Sequence, residues 1–435
     1  MFEFFTKSSS LIKYFIAFIF VTIIEIILLV SVSVIPRQAI QDNMLESAYY
    51  LCEDSVFFYA NSKDMSSKID RYADSILLNI TYHLDSQNPL SSAMSSSYYF
   101  NITENENENL LYTVTNQTEP TLKYSRYWHG SIVFVRPLLM LFNIKQIYLL
   151  NSVLIICLAL VLLFIMYKIY GIASTICAAI GFASISIWYV PMSLEYTWTI
   201  LLMLVTSILC ILLLKKGQTN FILFFLITGS TTAYIDFLTT ETLTLLIPMS
   251  LIVLYHRDEL TTFKKETVIC IKQASAWCIG YGATWLSKWT LASIILQSNE
   301  FTTALSQASY RASDTSDSLS GMQLRLSAEF KNIAMLFPFS LTKDNSAMLC
   351  ALFFTIIIVI IYLIRKSKYV MNKLLLIIAI VPYIRYFILS NHSYMHHFFT
   401  FRAQFATVFC LLLILVYGSD KQLISKELKK LHRKK

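Results

Sequence analysis

A series of apolar runs recurs along most of this chain and constrains its fold more than any other feature. We place ten runs, at residues 11–34, 147–167, 172–190, 197–214, 221–235, 243–255, 267–286, 347–364, 370–389 and 399–417. A helix needs about 20 apolar residues to cross the hydrocarbon core of a bilayer. Within that core, a helix satisfies all of its own backbone hydrogen bonds. The runs therefore predict an all-α polytopic membrane protein with about ten transmembrane helices, within a range of eight to eleven.

The runs at 221–235 and 243–255 are short for a full span, and a re-entrant pair there would leave eight crossings. Composition agrees with membrane insertion, because 56% of the residues are hydrophobic and only 14% are charged, whereas soluble domains carry about a quarter charged residues. The net charge of +8 comes from short basic clusters beside apolar runs. Such clusters indicate membrane topology, so we predict no nucleic-acid partner.

Lys and Arg fall on alternate sides of the runs, which predicts that both termini are cytoplasmic. The chain then divides into an N-terminal transmembrane helix (1–34), a large extracytoplasmic loop (35–146), transmembrane helices 2–7 (147–288), a second extracytoplasmic loop (289–346), transmembrane helices 8–10 (347–417) and a basic cytoplasmic tail (418–435). The large loop contains amphipathic stretches such as 69–78, which are typical of interfacial helices. We expect a multi-pass membrane protein with both termini in the cytoplasm.

Four polar clusters fall on the predicted outer side. The first contains Asp70 and Asp74, which are four residues apart and so share one face of a helix. Paired carboxylates suit general-base catalysis on a hydroxyl or the binding of a divalent metal. A solvated face of an interfacial helix explains the same spacing equally simply.

The second cluster is the aromatic segment 124–130 with the arginine that follows it. Its candidate residues for binding a phosphate beside a sugar are Arg126, Trp128, His129 and Arg136. Arginine suits bidentate contact with a phosphate, and aromatic faces suit a pyranose ring. The alternative is an interfacial aromatic belt with basic anchors. The third cluster holds Asp236 and Glu241 between two short runs, where they face a cavity or cap helices.

The fourth cluster lies between the last two runs and contains His392, His396, His397 and Arg402. His392 and His396 have a spacing that can place two metal ligands on one helical face, but no zincin-type motif is completed. Hydrogen bonding of these residues to phosphate or hydroxyl groups is the better interpretation. Arg402 begins the last run, where a charge is costly unless it has a partner.

The layout of these segments resembles the GT-C integral membrane glycosyltransferases. The segments IDRYAD at 69–74, YSRYWHG at 124–130, DFLTT at 236–240 and NHSYMHHFFTFR at 391–402 also resemble a poorly characterised family of membrane proteins from Gram-positive bacteria. The chain departs from the GT-C pattern in one respect, because adjacent acidic residues do not follow the first helix directly, and the nearest candidates are Asp42 and Glu46.

The resemblance implies transfer of a sugar from a polyprenyl-phosphate donor to a glycan, lipid or polymer acceptor at the outer face of the bilayer. It implies a base among Asp70 and Asp74, with Asp236 next in line, and it leaves a divalent metal open. A polymerase or ligase of lipid-linked surface glycans is an alternative, and so is a transporter or flippase. A transporter would need ionisable residues near the midplane of the membrane, and the four clusters lie towards one face.

Overall fold

The computed structural model describes residues 2–259, 262–313, 315, 319–336, 356–357 and 370–417, with side chains from residue 11. The helices are α1 (Phe2–Ser33), α2 (Gln41–Cys52), α3 (Arg71–Tyr82), α4 (Pro89–Ser95), α5 (Glu106–Asn116), α6 (Ile132–Leu138), α7 (Ile144–Tyr170), α8 (Ile172–Ser184), α9 (Leu194–Lys215), α10 (Ile222–Ile235), α11 (Leu243–Tyr255), α12 (Phe263–Leu296), α13 (Glu300–Arg311), α14 (Gly321–Ala334), α15 (Val370–Ile388), α16 (Ser390–Met395), α17 (His397–Thr400) and α18 (Phe405–Tyr417). Short 3-10 helices lie at Arg37–Ile40, Met65–Ser67, Ile187–Met192 and Phe401–Gln404.

The prediction of an all-α membrane protein is confirmed at the level of fold class. Five segments of the described chain are long and apolar enough to cross a membrane: Leu11–Ser33, Ile144–Tyr170, Leu194–Lys215, Val370–Ile388 and His397–Tyr417. The predicted count of ten is not confirmed. The runs that begin at 172, 221 and 243 form helices of only 13 or 14 residues, α8, α10 and α11. The run at 267–286 lies within the long and less apolar α12, and the run at 347–364 lies outside the described residues except for 356–357.

The five long segments differ in how much of their surface the protein covers. In the most apolar stretch of α1 and of α7 only 22% of the residues are buried, against 78% in the segment His397–Tyr417. Phe15 of α1 and Leu149 of α7 are 65% and 67% exposed. Apolar surface of this extent is stable where lipid covers it. The first and second spans therefore lie at the periphery of the bundle, and the last lies near its centre.

Small residues let α10 and α12 pack backbone against backbone. A Cβ atom at Gly229 would lie 2.1 Å from the carbonyl oxygen of Trp277, and one at Gly280 would lie 2.1 Å from that of Leu226. Only glycine permits this approach, which is a common device between membrane helices. The contact fixes the position of α12 against α10, and the later turns of α12 contact α4 and α13.

Residues 35–143 lie between α1 and α7 in the chain, and we call this segment the cap. It contains α2 to α6 and a two-stranded antiparallel hairpin that the sequence did not predict, β1 (Phe57–Tyr59) and β2 (Lys68–Asp70). The apolar core of the cap is continuous with side chains of α1, α7, α9, α10 and α12. The predicted amphipathic stretch at 69–78 becomes the end of β2 and most of α3. The cap therefore packs directly onto the ends of the long helices.

Candidate functional site

A cavity of about 290 Å³ lies where the cap meets the helix ends, and we call it the polar cavity. Its walls come from β1, β2 and α3, from the loop before α6, from the start of α9 and from the loop after α10. The end of α13 and the helices α16 and α17 complete them. The lining residues are Phe57, Asp70, Tyr72, Ala73, Ile76, Leu77, Tyr124, Tyr127, His129, Glu195, Phe237, Arg311, His392, His396 and Phe399. Each of the four polar clusters of the sequence contributes at least one residue or an immediate neighbour.

Two carboxyl groups meet in this cavity. Asp70 closes β2 and caps α3, because its Oδ1 accepts a hydrogen bond from the backbone N–H of Ala73 at 2.8 Å. Glu195 lies in the first turn of α9, and the two carboxyl groups are hydrogen-bonded to each other. A hydrogen bond between two carboxyl groups requires a shared proton, because two anions at this separation repel. Burial raises the pKa of Asp70 above its ordinary value, and the hydrogen bond from Ala73 opposes that rise.

The surroundings favour the negative charge of this pair on Asp70 and the proton on Glu195. Asp70 receives the N–H of Ala73 at the positive end of α3 and lies near the Lys68 ammonium group. Oε2 of Glu195 is buried and has no hydrogen-bond partner among the described residues. A protonated Glu195 therefore donates to an anionic Asp70, whose carboxylate lines the cavity.

Asp74, one turn further along α3, lies behind the cavity wall. Its carboxylate accepts hydrogen bonds from the hydroxyl groups of Tyr148 and Ser193 and from the backbone N–H groups of Leu194 and Glu195. It thereby caps the N-terminus of α9, where a negative charge is favourable. Burial raises the pKa of Asp74 to about 6, against these hydrogen bonds. Asp74 positions Glu195 and does not reach the cavity.

The opposite wall carries nitrogen groups. Arg311 donates from Nη1 to Nδ1 of His392 at 2.9 Å, so Nε2 of His392 carries the proton that it donates to the Leu238 carbonyl at 2.8 Å. Nε2 of His129 likewise donates to the carbonyl of Tyr124 at 3.2 Å. Burial lowers the pKa of His129 to about 3, lowers that of His396 to about 3, and lowers that of His392 well below its ordinary value. The three imidazoles are therefore neutral at physiological pH.

Several polar atoms at the cavity lack a partner within the described part of the chain. They are Nδ1 of His129, Nδ1 of His396, Oε2 of Glu195 and Nε of Arg311. Buried polar groups in native proteins are almost always hydrogen-bonded, and exceptions require an explanation. Four residues with such atoms line one cavity, which makes this cavity the candidate site for a bound molecule.

The loop between α10 and α11 supports this wall under strain. Leu238 adopts a φ of +66°, a left-handed conformation that is costly for a leucine. The Asp236 carboxylate holds it there by accepting the N–H groups of Leu238 and Thr239. The carbonyl of Leu238 then accepts hydrogen bonds from His392 and Arg385, and Arg385 pairs with Glu241 at 2.7 Å. Asp236 and Glu241 therefore position the loop and do not line the cavity.

Four other predicted residues have partners that hold the fold together. Trp128 is buried and donates from Nε1 to the Thr284 carbonyl at 2.7 Å. Arg136 donates to the carbonyls of Thr81, Ile35 and Leu84. Arg402 donates to the carbonyls of Phe398 and Ser66, and Nδ1 of His397 lies 3.0 Å from the carbonyl of Tyr394. These four residues lie outside the polar cavity.

Two lining residues were not predicted from the sequence. Glu195 is a single acidic residue just before an apolar run, and Arg311 is the only basic residue in the Ser-rich stretch 306–320. An isolated charge in a polar loop gives no motif, although Glu195 at the very start of a span is unusual enough to be a candidate. Arg126, the remaining predicted residue, lies over the rings of Tyr124 and Tyr127 and faces a neighbouring cavity.

No group of three or more His, Cys, Asp or Glu residues in the described ranges is arranged to hold a metal ion. Comparison of the chain with models of protein families, with curated proteins and with solved structures finds no match.

Proposed function

We propose that this protein is a membrane glycosyltransferase that transfers a sugar from a polyprenyl-phosphate donor to an acceptor hydroxyl in the polar cavity. The observation that carries the proposal is the Asp70 carboxylate facing Arg311 and three neutral histidines across one aromatic-walled cavity. A base, a cation and stacking surfaces are the three elements that this reaction needs. The resemblance of the layout to GT-C enzymes adds a weaker, architectural argument.

Asp70 is the group that accepts the proton. In the reaction, the acceptor oxygen forms a bond to the anomeric carbon while the bond from that carbon to the phosphate oxygen breaks. The hydroxyl proton passes to the Asp70 carboxylate, and the electron pair of the broken bond leaves with the polyprenyl phosphate. A carboxylate whose pKa is raised by burial is a better base than an exposed one. The protonated Glu195 holds the Asp70 carboxylate in place through their hydrogen bond.

Arg311 is the cation nearest to the leaving phosphate. Its guanidinium already donates one N–H to His392. Its Nε has no hydrogen-bond partner among the described residues. Arginine remains charged at any physiological pH and binds phosphate through paired N–H groups. It therefore stabilises the negative charge that builds up on the departing group.

Aromatic rings provide the surface for the sugar. Phe57 and Tyr72 are stacked with their ring centroids 5.8 Å apart, and Tyr127 packs against Phe237 at 5.7 Å. Apolar ring faces suit the C–H faces of a pyranose, and the unpartnered Nδ1 atoms of His129 and His396 accept hydrogen bonds from its hydroxyl groups. The Lys and Arg asymmetry of the sequence favours the outer face of the bilayer for this cavity.

The test measures the surface glycan of a strain that lacks the protein and is complemented with variants. Loss of a general base costs about a hundredfold or more in rate, so we expect Asp70→Asn to leave the glycan as in the deletion strain at normal protein level. Glu195→Gln keeps a donor towards Asp70 and should retain transfer within about tenfold. Glu119→Gln removes an exposed carboxylate of the cap, is the matched control and should behave as wild type.

Two outcomes would contradict the proposal. An unchanged glycan in the deletion strain would remove the transferase function. Full transfer by Asp70→Asn, with loss of transfer in Glu195→Gln, would move the base from Asp70 to Glu195.

A further inference from the structure

A second cavity of about 400 Å³ lies between α12 and α13, and we call it the apolar cavity. Its walls are mostly apolar and aromatic, and they include Tyr281, Trp285 and Trp289 of α12. Tyr127 and Arg311 line this cavity and the polar cavity alike. The two cavities are therefore adjacent and meet at a tyrosine ring and a guanidinium group.

An aromatic ladder runs along one face of α12 at a spacing of four residues. Trp277 stacks on Tyr281 with ring centroids 4.9 Å apart, Tyr281 lies 6.3 Å from Trp285, and Trp285 lies 5.8 Å from Trp289. Four-residue spacing places all four rings on the same helical face. From Tyr281 to Trp289 the helix rises roughly 12 Å. The cavity thus follows a helix that is itself anchored among the membrane-spanning helices, with rings along its length.

Polar hydrogens without partners line this otherwise apolar cavity. Nε of Arg126 and Nε of Arg311 have no hydrogen-bond partner among the described residues. The Tyr281 hydroxyl group and the Trp285 side chain, on the same helix, are hydrogen-bonded to each other. Both Nε atoms are donors that belong to cations. Two cationic donors on the wall of a mostly apolar cavity fit a ligand that combines an anionic head with a long apolar tail.

We infer that the apolar cavity holds the prenyl chain of a polyprenyl-phosphate donor, with Arg126 and Arg311 at its phosphate. The inference rests on the proposed function for the identity of the donor, and it adds the site and the residues that would bind its lipid part. The chain lies along Tyr281, Trp285 and Trp289, and the phosphate lies at the junction of the cavities. The sugar then extends past Arg311 towards Asp70 in the polar cavity.

The experiment measures binding of farnesyl phosphate to the purified protein in detergent by tryptophan fluorescence, which Trp285 and Trp289 report. Gly282→Phe fills the apolar cavity, because Gly282 lines it and a Cβ atom there meets no other atom within 4 Å. Ala308→Trp fills it from α13 and serves as a second variant if the first folds poorly. Ile279→Phe is the matched control, since Ile279 lies on the same helix and is 63% exposed.

We expect Gly282→Phe and Ala308→Trp to weaken binding by about tenfold or more, and Ile279→Phe to leave it unchanged. Farnesol and inorganic phosphate should each bind at least about tenfold more weakly than farnesyl phosphate, because each lacks one half of the ligand. Wild-type affinity in both filling variants would overturn the inference. Equal affinity for farnesol would contradict the assignment of the two arginines to the phosphate. Displacement of farnesyl phosphate by an equal concentration of short-chain phosphatidylglycerol would show instead that a membrane phospholipid occupies the cavity.

Binding and transfer fail separately in this design. Asp70→Asn should bind farnesyl phosphate as tightly as wild type although it transfers no sugar. Loss of the binding result with the transfer result intact would overturn only the prenyl site. Full transfer by Asp70→Asn and Glu195→Gln, with binding intact, would overturn only the proposed catalytic pair.

Discussion

Arg136, which was predicted as a phosphate ligand, and Arg311, which was not, differ sharply in their surroundings. Arg136 is fully buried in the core of the cap. It donates to the backbone carbonyls of Thr81, Ile35 and Leu84, and so connects two separate segments of the chain. Arg311 lies at the junction of the two cavities with one donated hydrogen bond, to His392, and an unpartnered Nε. Arg136 uses both terminal guanidinium nitrogens for hydrogen bonds within the fold, and its unpartnered Nε lines neither cavity. Arg311 keeps donors available at a place that a ligand can reach.

This contrast extends to the carboxylates and histidines. Asp74 accepts four hydrogen bonds from the fold, and Asp70 accepts one from the fold and one from another carboxyl group. Charge and burial therefore do not distinguish a structural residue from a functional one in this protein. The position of an unpartnered atom does: Nε of Arg136 and Nε of Arg402 are unpartnered away from the cavities, whereas the unpartnered atoms of His129, His396, Glu195 and Arg311 belong to residues that line the polar cavity.

The largest effect should come from exchanging these two arginines for methionine. Arg136→Met leaves the carbonyls of Thr81, Ile35 and Leu84 without their donor, and each unsatisfied buried group costs about 1–3 kcal/mol. We expect at least about 3 kcal/mol of lost stability, seen as a lower thermal midpoint in detergent and less protein in the membrane. Arg311→Met should fold normally and lose transfer. Comparable thermal midpoints for the two variants would break the distinction.

Part of this arrangement could be predicted from the sequence. The repeated apolar runs predicted the long helices, because every helix that crosses a bilayer needs about 20 apolar residues. The concentration of charge and imidazole at one face predicted a shared site, and Asp70, His129, His392 and His396 do line one cavity. These predictions depend on local composition, which the sequence displays directly.

The remainder depends on tertiary contacts. Asp70 and Asp74 share a helical face by spacing, but only the docking of α9 against α3 decides which carboxylate faces the cavity and which caps a helix. Glu195 and Arg311 are single charges in separate loops, and their approach follows from the packing of the cap and α13 on the bundle. The strained φ of Leu238 likewise depends on the Asp236 carboxylate and has no signal in the residue type.

A smaller effect should appear in the pH dependence of transfer. Burial raises the pKa of Asp70 in the folded protein, and the base must be ionised to accept a proton. The rate should therefore rise with pH through this raised pKa and then level off, with the acidic limb above the ordinary carboxyl pKa of about 4. Initial rates at saturating donor between acidic and neutral pH give this limb. A rate that is already constant down to the ordinary carboxyl range would remove the buried Asp70 as the base.

The smallest effect should separate two adjacent histidines. His396 lines the polar cavity, stacks on Phe399 with ring centroids 5.1 Å apart, and has an unpartnered Nδ1. Nδ1 of His397 lies 3.0 Å from the carbonyl of Tyr394, outside that cavity. Phenylalanine keeps the ring of each residue and removes only the nitrogens. The substitutions therefore compare a hydrogen bond available to a ligand with one already made by the fold.

His396→Phe should raise KM for the sugar substrate by about three- to tenfold, the value of one hydrogen bond of about 0.5–1.5 kcal/mol. Its thermal midpoint should stay at or above that of wild type, because a buried polar atom without a partner is removed. His397→Phe should lower the thermal midpoint slightly and leave KM unchanged. Steady-state rates and thermal unfolding of the two purified variants, measured side by side, make the comparison. An equal rise of KM in both variants would show that the unmade hydrogen bond of His396 does not select it for the ligand.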